Sequence, residues 1–251
     1  VDNPYISYTP KYMESVWWLL KEIYNKDLMY KGYTIQPYSP KAGTAISSHE
    51  LNQPGTYQDV TDTTVTAQFK LKKEELPKFL NLDDDIYVLA WTTTPWTLPS
   101  NTALTVGPKI NYSLIKSFNQ YTGLRADYIV AEDLISKQFS GNYYETSDLD
   151  EINKYEFDSK QIPFLKISTF KGEDLENIQY EQLLDYAKPF DNPENAFRII
   201  TGDFVTTSDG TGIVHTAPTF GADDAFVAKN AKPPIPPMSV SYTHLEPTRP
   251  C

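Results

Sequence analysis

Two stretches of this chain set chemically capable side chains beside residues that fix the backbone. In Trp91-Thr92-Thr93-Thr94-Pro95-Trp96, three consecutive hydroxyls follow the apolar run Ile86–Ala90 and precede a proline. Threonine is a good strand residue, and Pro95 and Pro99 would end a strand in any case. Held by a rigid turn, the same hydroxyls can also line a pocket and hydrogen-bond a ligand oxygen. The second stretch runs from Asp209-Gly210 through His215 to Gly221-Ala222-Asp223-Asp224. Its Asp-Gly pair signals a hairpin turn leading into a strand that carries His215, and a short helix should begin near the two aspartates. Carboxylates there complement the helix dipole. A strand histidine is most often a packed core or edge residue.

Nothing else in the sequence competes with these two stretches. No Ser/His/Asp nucleophile motif, glycine-rich phosphate loop or metal-ligand cluster is present, so neither a metal nor a cofactor is expected. The single cysteine, Cys251, excludes a thiolate zinc site and a disulfide framework. His49 sits among polar residues and reads as surface; His244 belongs to the C-terminal stretch. A formal charge of −11 argues against a stand-alone nucleic-acid binder, although such a chain can touch a nucleic-acid end if other domains supply the attraction. No apolar run reaches the roughly 18 residues of a membrane span and no signal peptide opens the chain. The expectation is a soluble, cytoplasmic protein with no membrane partner.

The elements that must position these residues are mainly strands. Val65, Ala67, Phe69 and Leu71 alternate with polar neighbours, as in a half-buried strand. Further strands are expected at 86–91, 102–106, 112–116, 128–131, 164–169, 197–200 and 212–216. Short helices are expected at 132–139, 180–187 and 222–229. A longer helix over 10–30, with Thr9 as cap and Pro10 in its first turn, carries an apolar face plus Trp18 and Leu19 off that face. The fold class is α+β, a barrel-like mixed β-sheet with peripheral helices. The organisation expected is a helical segment over 1–32, one domain over 33–238, and a disordered or artificially appended tail over 239–251.

Taken together, W-T-T-T-P-W-T-L-P-S-N and G-T-G-I-V-H-T-A-P-T-F-G-A-D-D resemble the two signature segments of the editing (CP1) domain of isoleucyl-tRNA synthetases, which are class I aminoacyl-tRNA synthetases. The likeness extends over Tyr30–Leu51 and Phe170–Tyr180 and covers roughly residues 5–235. Valyl and leucyl relatives carry T-T-R-P where this chain has Thr94 before Pro95, which favours the isoleucine group. Ser39-Pro40-Lys41-Ala42 replaces the C-P-x-C element of many relatives, so no zinc knuckle is possible there. Gln182 and Asn177 also depart from the usual pattern, away from the signature segments.

The resemblance implies hydrolysis of valine wrongly esterified to the isoleucine tRNA. One methylene is worth only about 1–3 kcal/mol in a pocket, a limit for which this enzyme family is itself the standard illustration, so a second, smaller site must supply the discrimination. It further implies that Thr92, Thr93, Thr94, His215 and Asp224 form the catalytic set. Trp96 joins them in binding substrate, Asp224 holds the α-ammonium, and His215 closes the side-chain pocket. The implied partners are the 3′ end of valyl-tRNA(Ile) and the remaining domains of the synthetase. The alternative is a non-catalytic module that binds the aminoacylated tRNA 3′ end. ATP-dependent activation belongs to H-x-G-H and K-M-S-K-S motifs, neither of which occurs in this sequence. Isoleucine-dependent exchange of pyrophosphate into ATP should therefore stay at background with this chain.

Overall fold

The structure is a computed structural model that describes residues 6–32, 35–39, 41–59, 61–80, 83–157 and 159–239. The chain divides into two compact units, Val1–Gln53 and Pro54–Cys251. Apart from Ser239, the expected tail lies outside the described residues.

In the first unit, α1 (Pro10–Asn25) starts on a proline at its first turn and buries no residue. It is shorter than the 10–30 expected. Lys26 and Asp27 return their N–H groups to Ile23 and Tyr24, and Asp27 takes a positive φ of 54°, which closes the helix well before Gly32. Thr9 occupies the N-cap position as expected, but its side chain makes no capping hydrogen bond, because its hydroxyl donates backwards to the Ile6 carbonyl at 3.1 Å. β1 (Tyr38–Ser39) and β2 (Thr44–Ala45) pair antiparallel across the Ser39–Ala42 element. There the Ser39 hydroxyl accepts from Ala42 N and its carbonyl from Gly43 N, so backbone hydrogen bonds close the turn. A capping box between Ser47 and Glu50 opens α2 (Ser48–Leu51), and His49 is exposed, as expected.

The second unit is built on a single mixed sheet of nine strands. These are β3 (Val65–Lys70), β4 (Ile86–Thr92), β5 (Ala103–Val106), β6 (Asn111–Phe118), β7 (Arg125–Ala131), β8 (Tyr143–Glu145), β9 (Ile162–Lys171), β10 (Arg198–Thr201) and β11 (Ile213–Thr216). The short helices α3 (Ile135–Gln138) and α4 (Leu149–Asn153) and the longer α5 (Ala222–Asn230) are peripheral to it. The strand order is β10-β5-β11-β4-β7-β6-β9-β8, with β3 added to β4. Among the described residues the strands do not close into a barrel. Isolated bridges Leu71↔Tyr180 and Gln179↔Arg198 nevertheless link β3 to β10 through the segment 179–180. The core holds Phe69, Leu71, Leu104, Leu114, Ile129, Tyr180 and Ile199, all essentially inaccessible to solvent.

β4 organises this sheet. One of its edges is taken by β3 along nearly its whole length, Val65↔Thr92 to Lys70↔Tyr87. The other edge is divided. Ile86–Val88 pair parallel with β7, and Trp91 pairs parallel with Val214 of β11. β11 in turn runs antiparallel to β5, with His215 opposite Leu104.

Two sequence expectations are corrected. Residues 180–187 are not helical: Tyr180 is held in its bridge to Leu71, Glu181 N donates to Lys70 O, and the Gln182 side-chain amide occupies the carbonyls of Leu184 and Ala187. Asp209-Gly210 is a turn, with Gly210 at φ 75°, but it forms no hairpin, because β11 pairs with β5 and β4 and not with a strand just before it.

Gly212 sets the entry to β11. Its φ is 70°, and a Cβ there would lie 2.4 Å from the Ala131 Cβ. Its carbonyl also accepts from the buried Tyr112 hydroxyl at 2.6 Å. Backbone strain and overpacking each cost about 1–3 kcal/mol. Gly212→Ala should therefore lower the unfolding free energy by about 2–6 kcal/mol in chemical denaturation, whereas Gly141→Ala, also at positive φ but in open space, should show only the strain.

Candidate active site

Where β7 gives way to β11 along β4, a cavity of about 310 Å³ opens at the C-terminal ends of the parallel pair β4 and β11. Parallel strands present ligand sites at that end, where neighbouring connections diverge. The cavity is lined by Thr92 at the end of β4 and Thr93 and Thr94 just after it, by Val214 and His215 of β11 and Ala217 just after it, and by Asp224 at the start of α5, with Trp91, Thr97, Phe220 and Gly221. The structure thus brings Thr92, Thr93, Thr94, His215 and Asp224 to one place. Trp96 does not line the cavity; it is half-buried in the 3-10 turn Pro95–Ser100.

The threonine run is a small hydrogen-bonded loop. Thr94 N donates to the Thr92 hydroxyl at 3.0 Å, and the two hydroxyl oxygens are 3.3 Å apart. Pro95 then starts the 3-10 turn, which places the Thr97 hydroxyl 2.8 Å from the Thr94 carbonyl, to which it donates. The Thr97 oxygen also lies 2.7 Å from His215 Nε2.

His215 is gripped on both ring nitrogens. Asn101 Nδ2 lies 2.8 Å from the Ala103 carbonyl and 3.1 Å from His215 Nδ1, while Asn101 Oδ1 accepts from the Tyr180 hydroxyl at 2.6 Å. A carbonyl can only accept, so the nitrogen of the Asn101 amide must face Ala103 and His215. Nδ1 of His215 is then the acceptor and Nε2 carries the proton, which it donates to Thr97. Burial lowers the His215 pKa to about 4. The ring is neutral, in one tautomer, and has no free lone pair.

Asp224 is the only ionisable side chain besides His215 on the cavity wall among the described residues. Its Oδ2 accepts from Ala217 N at 2.8 Å, which folds the carboxylate back from α5 toward β11. A Cβ at Gly221 would come within 3.0 Å of the Asp224 Cγ, so the small residue leaves room for that fold. Desolvation raises the Asp224 pKa and nearby Asp223 adds to the rise, while the Ala217 hydrogen bond opposes it. A carboxylate held in this condition gains from an incoming cation. Asp223 points elsewhere, exposed and off the cavity wall.

Sequence reasoning missed Thr97, Asn101 and Tyr180. Thr97 could have been found as the residue one 3-10 turn beyond Thr94. Tyr180 is 79 positions from Asn101, and no local pattern joins them.

A family model for tRNA synthetases class I (I, L, M and V) matches residues 1–194. The chain belongs to that family. This synthetase segment is 54% identical over 240 residues to the isoleucine–tRNA ligase of Bacteroides fragilis, an alignment that covers 95% of the segment and 20% of the relative. It is 57% identical over 231 residues to that of Cytophaga hutchinsonii, covering 92% and 20%. The segment therefore spans about a fifth of the length of the curated relatives it matches. The isoleucine group, read from Thr94-Pro95-Trp96, agrees with them. Solved structures similar to the segment include GlLeuRS-CP1, at 19% identity and TM-score 0.45, covering 67% of the segment and 59% of that chain. Another is the editing domain of the P. knowlesi cytosolic leucyl-tRNA synthetase, at 16% identity and TM-score 0.44, covering 66% and 60%. No helix among the described residues is long and apolar enough to cross a membrane.

The locked histidine of this synthetase segment has a measurable consequence. Its folded pKa, about 4, lies below the unfolded value of about 6.5. Its stabilising contribution is therefore full above pH 6.5 and is lost as pH falls toward 4. Nitrogen-15 NMR should show the Nε2–H tautomer from pH 8 down to 5 with no titration step. A step near pH 6.5 would contradict the grip by Asn101 and Thr97.

Proposed function

We propose that this segment is the editing site of an isoleucine–tRNA ligase and hydrolyses the ester of valyl-tRNA(Ile). The observation that carries this reading is the convergence of the desolvated Asp224 carboxylate and the threonine hydroxyls on one small cavity. Its volume, about 310 Å³, is at the lower end of the roughly 300–1,000 Å³ of small-molecule sites. Such a cavity suits an aminoacyl group and little more.

The chemistry follows from which groups remain free. Asp224 keeps Oδ1 for the substrate's α-ammonium, because Ala217 occupies Oδ2. Anchoring the ammonium fixes the ester carbonyl over the threonine run. The Thr93 hydroxyl has no hydrogen-bonding partner among the described residues, and the Thr94 hydroxyl touches only other threonine hydroxyls. Both are available to the ester or to water. His215 cannot serve as a general base, since Nδ1 accepts from Asn101 and Nε2 is protonated. Its role is to present an immobile wall against which the aminoacyl side chain is measured. Hydrolysis then rests on holding a labile ester and a water in reactive geometry.

Exclusion of the larger isoleucine side chain rests on the same rigidity, as overfilling a packed site costs about 1–3 kcal/mol. Valyl-tRNA should thus be deacylated about 5- to 150-fold faster than isoleucyl-tRNA, and loss of that ranking in a rapid-quench assay would remove the sieve.

The Asp224 role is tested by substitution. A charge-assisted hydrogen bond contributes about 1.5–3 kcal/mol, and a misplaced ester adds to the loss. Asp224→Ala should reduce valyl-tRNA hydrolysis by roughly tenfold to several hundredfold, while Asp223→Ala should have a much smaller effect. On valyl-tRNA with an acetylated amino group the advantage of the parent chain over Asp224→Ala should vanish. If the advantage persists on that substrate, Asp224 does not anchor the ammonium.

A further inference from the structure

The stretch that follows α5 is dominated by proline. Residues 233–238 read Pro-Pro-Ile-Pro-Pro-Met, so four of the six have no N–H to give and a φ fixed by the ring. This strap forms neither strand nor helix, yet Ile235 and Met238 are almost wholly buried. Three hydrogen bonds hold it to the second unit. Arg198 of β10 donates to the Pro233 carbonyl. Ile235 N donates to the Ala228 carbonyl of α5 at 2.9 Å. The Thr219 hydroxyl, in the turn between β11 and α5, donates to the Met238 carbonyl at 2.8 Å. The Ile235 side chain also packs with Val227 and Ala228 of α5, Ala103 of β5 and Ile200 of β10.

The grip by Arg198 is firm for an electrostatic reason. Arg198 is only 5% exposed. Its guanidinium meets the carbonyls of Asn195 and Pro233 and the Asn177 side chain, and no carboxylate pairs with it among the described residues. A buried cation satisfied by neutral oxygens alone is left short of an acceptor if the strap lifts.

The other two grips bracket Asp224, one at Thr219 before it and one at Ala228 after it. α5 has little hold of its own on the sheet, since Val227 and Ala228 are its only buried residues. The Asp224 carboxylate is oriented by Ala217 N, just before Thr219 in the same connection. The strap therefore ties the turn that orients the carboxylate to the helix that carries it. Thr219 itself does not line the cavity.

We propose that the strap of residues 231–238 is a positioning device that fixes the Asp224 carboxylate relative to the threonine run, with Thr219 as the positioning residue through which it acts. The use made of that carboxylate rests on the editing function proposed above, but its positioning can be read without any hydrolysis. Thr219→Val removes the hydroxyl at nearly constant volume, and Thr219→Ser restores it. Amide hydrogen exchange followed by NMR should be about tenfold faster at Ala217 in Thr219→Val than in the parent chain. Exchange at Leu104 of the adjoining β5 should be unchanged, and Thr219→Ser should match the parent at both. Unaltered exchange at Ala217, an equal rise at Leu104, or no rescue by serine would overturn the proposal. Ile235→Val tests the strap from its grip on α5. It should again raise exchange at Ala217 selectively, whereas a uniform rise would mark the strap as a general stabiliser and overturn its positioning role.

In the deacylation assay Thr219→Val should lower kcat/KM for valyl-tRNA about tenfold, and Thr219→Ser should restore it. In an Asp224→Ala background the same substitution should have no further effect, because the two residues act as one unit. A full tenfold loss in that background would place Thr219 on another path and overturn the proposal. If the parent chain does not cleave valyl-tRNA while exchange at Ala217 responds as expected, the strap's hold on Asp224 stands and the editing reaction falls instead.

Discussion

A β-strand has two edges, and on β4 one of them must serve two partners. β3 occupies the first edge, while β7 holds the start of the second and β11 its end. The sheet cannot remain continuous where those two partners separate, and the resulting gap is the cavity. Placing β11 parallel to β4 carries His215 and Ala217 past the same end that carries the threonine run. Asp224 then follows after a short turn, and the Ala217 N–H draws its carboxylate back toward the strand. The chemistry of the site is thus a product of strand pairing, with helices adding a single side chain.

Much of this was legible in the sequence, for reasons that are local. Alternation in Val65–Leu71 and the apolar run before Thr92 depend on a two-residue period, so β3 and β4 appear almost where expected. Thr92, Thr93 and Thr94 stand out because consecutive hydroxyls meet a proline, and Asp224 because it follows Gly221 at a helix start. What was not legible depends on distant partners. Residues 180–187 have the composition of a short helix, but the pairing of Tyr180 with Leu71 and with Asn101 outweighs that preference. β8 is only three residues long and owes its existence to pairing with β9. Trp96 follows the threonines in sequence but turns away from them, because the 3-10 turn started by Pro95 directs Thr97 to the cavity.

Two concavities of the second unit differ in charge. The candidate active site holds a desolvated carboxylate. A second concavity, lined by Thr66, Gln68, Leu89 and Tyr128 among others, has no charged residue among its described lining. A strongly acidic chain gains little long-range attraction for a polyanion.

The four contacts around His215 share a direction. Tyr180 donates to Asn101, Asn101 to His215, His215 to Thr97 and Thr97 to Thr94. Aligned donors polarise one another and stiffen the array. Direction also limits what the array can transmit. An amide cannot accept a proton on one side and release it on the other as a hydroxyl or water can, so Asn101 is an insulator between the phenol of Tyr180 and the imidazole. The array is a truss and not a proton wire. In the hydrolysis proposed above, the proton leaving the attacking water would depart through solvent or the substrate's own hydroxyls, and the core behind His215 would stay outside that acid–base traffic.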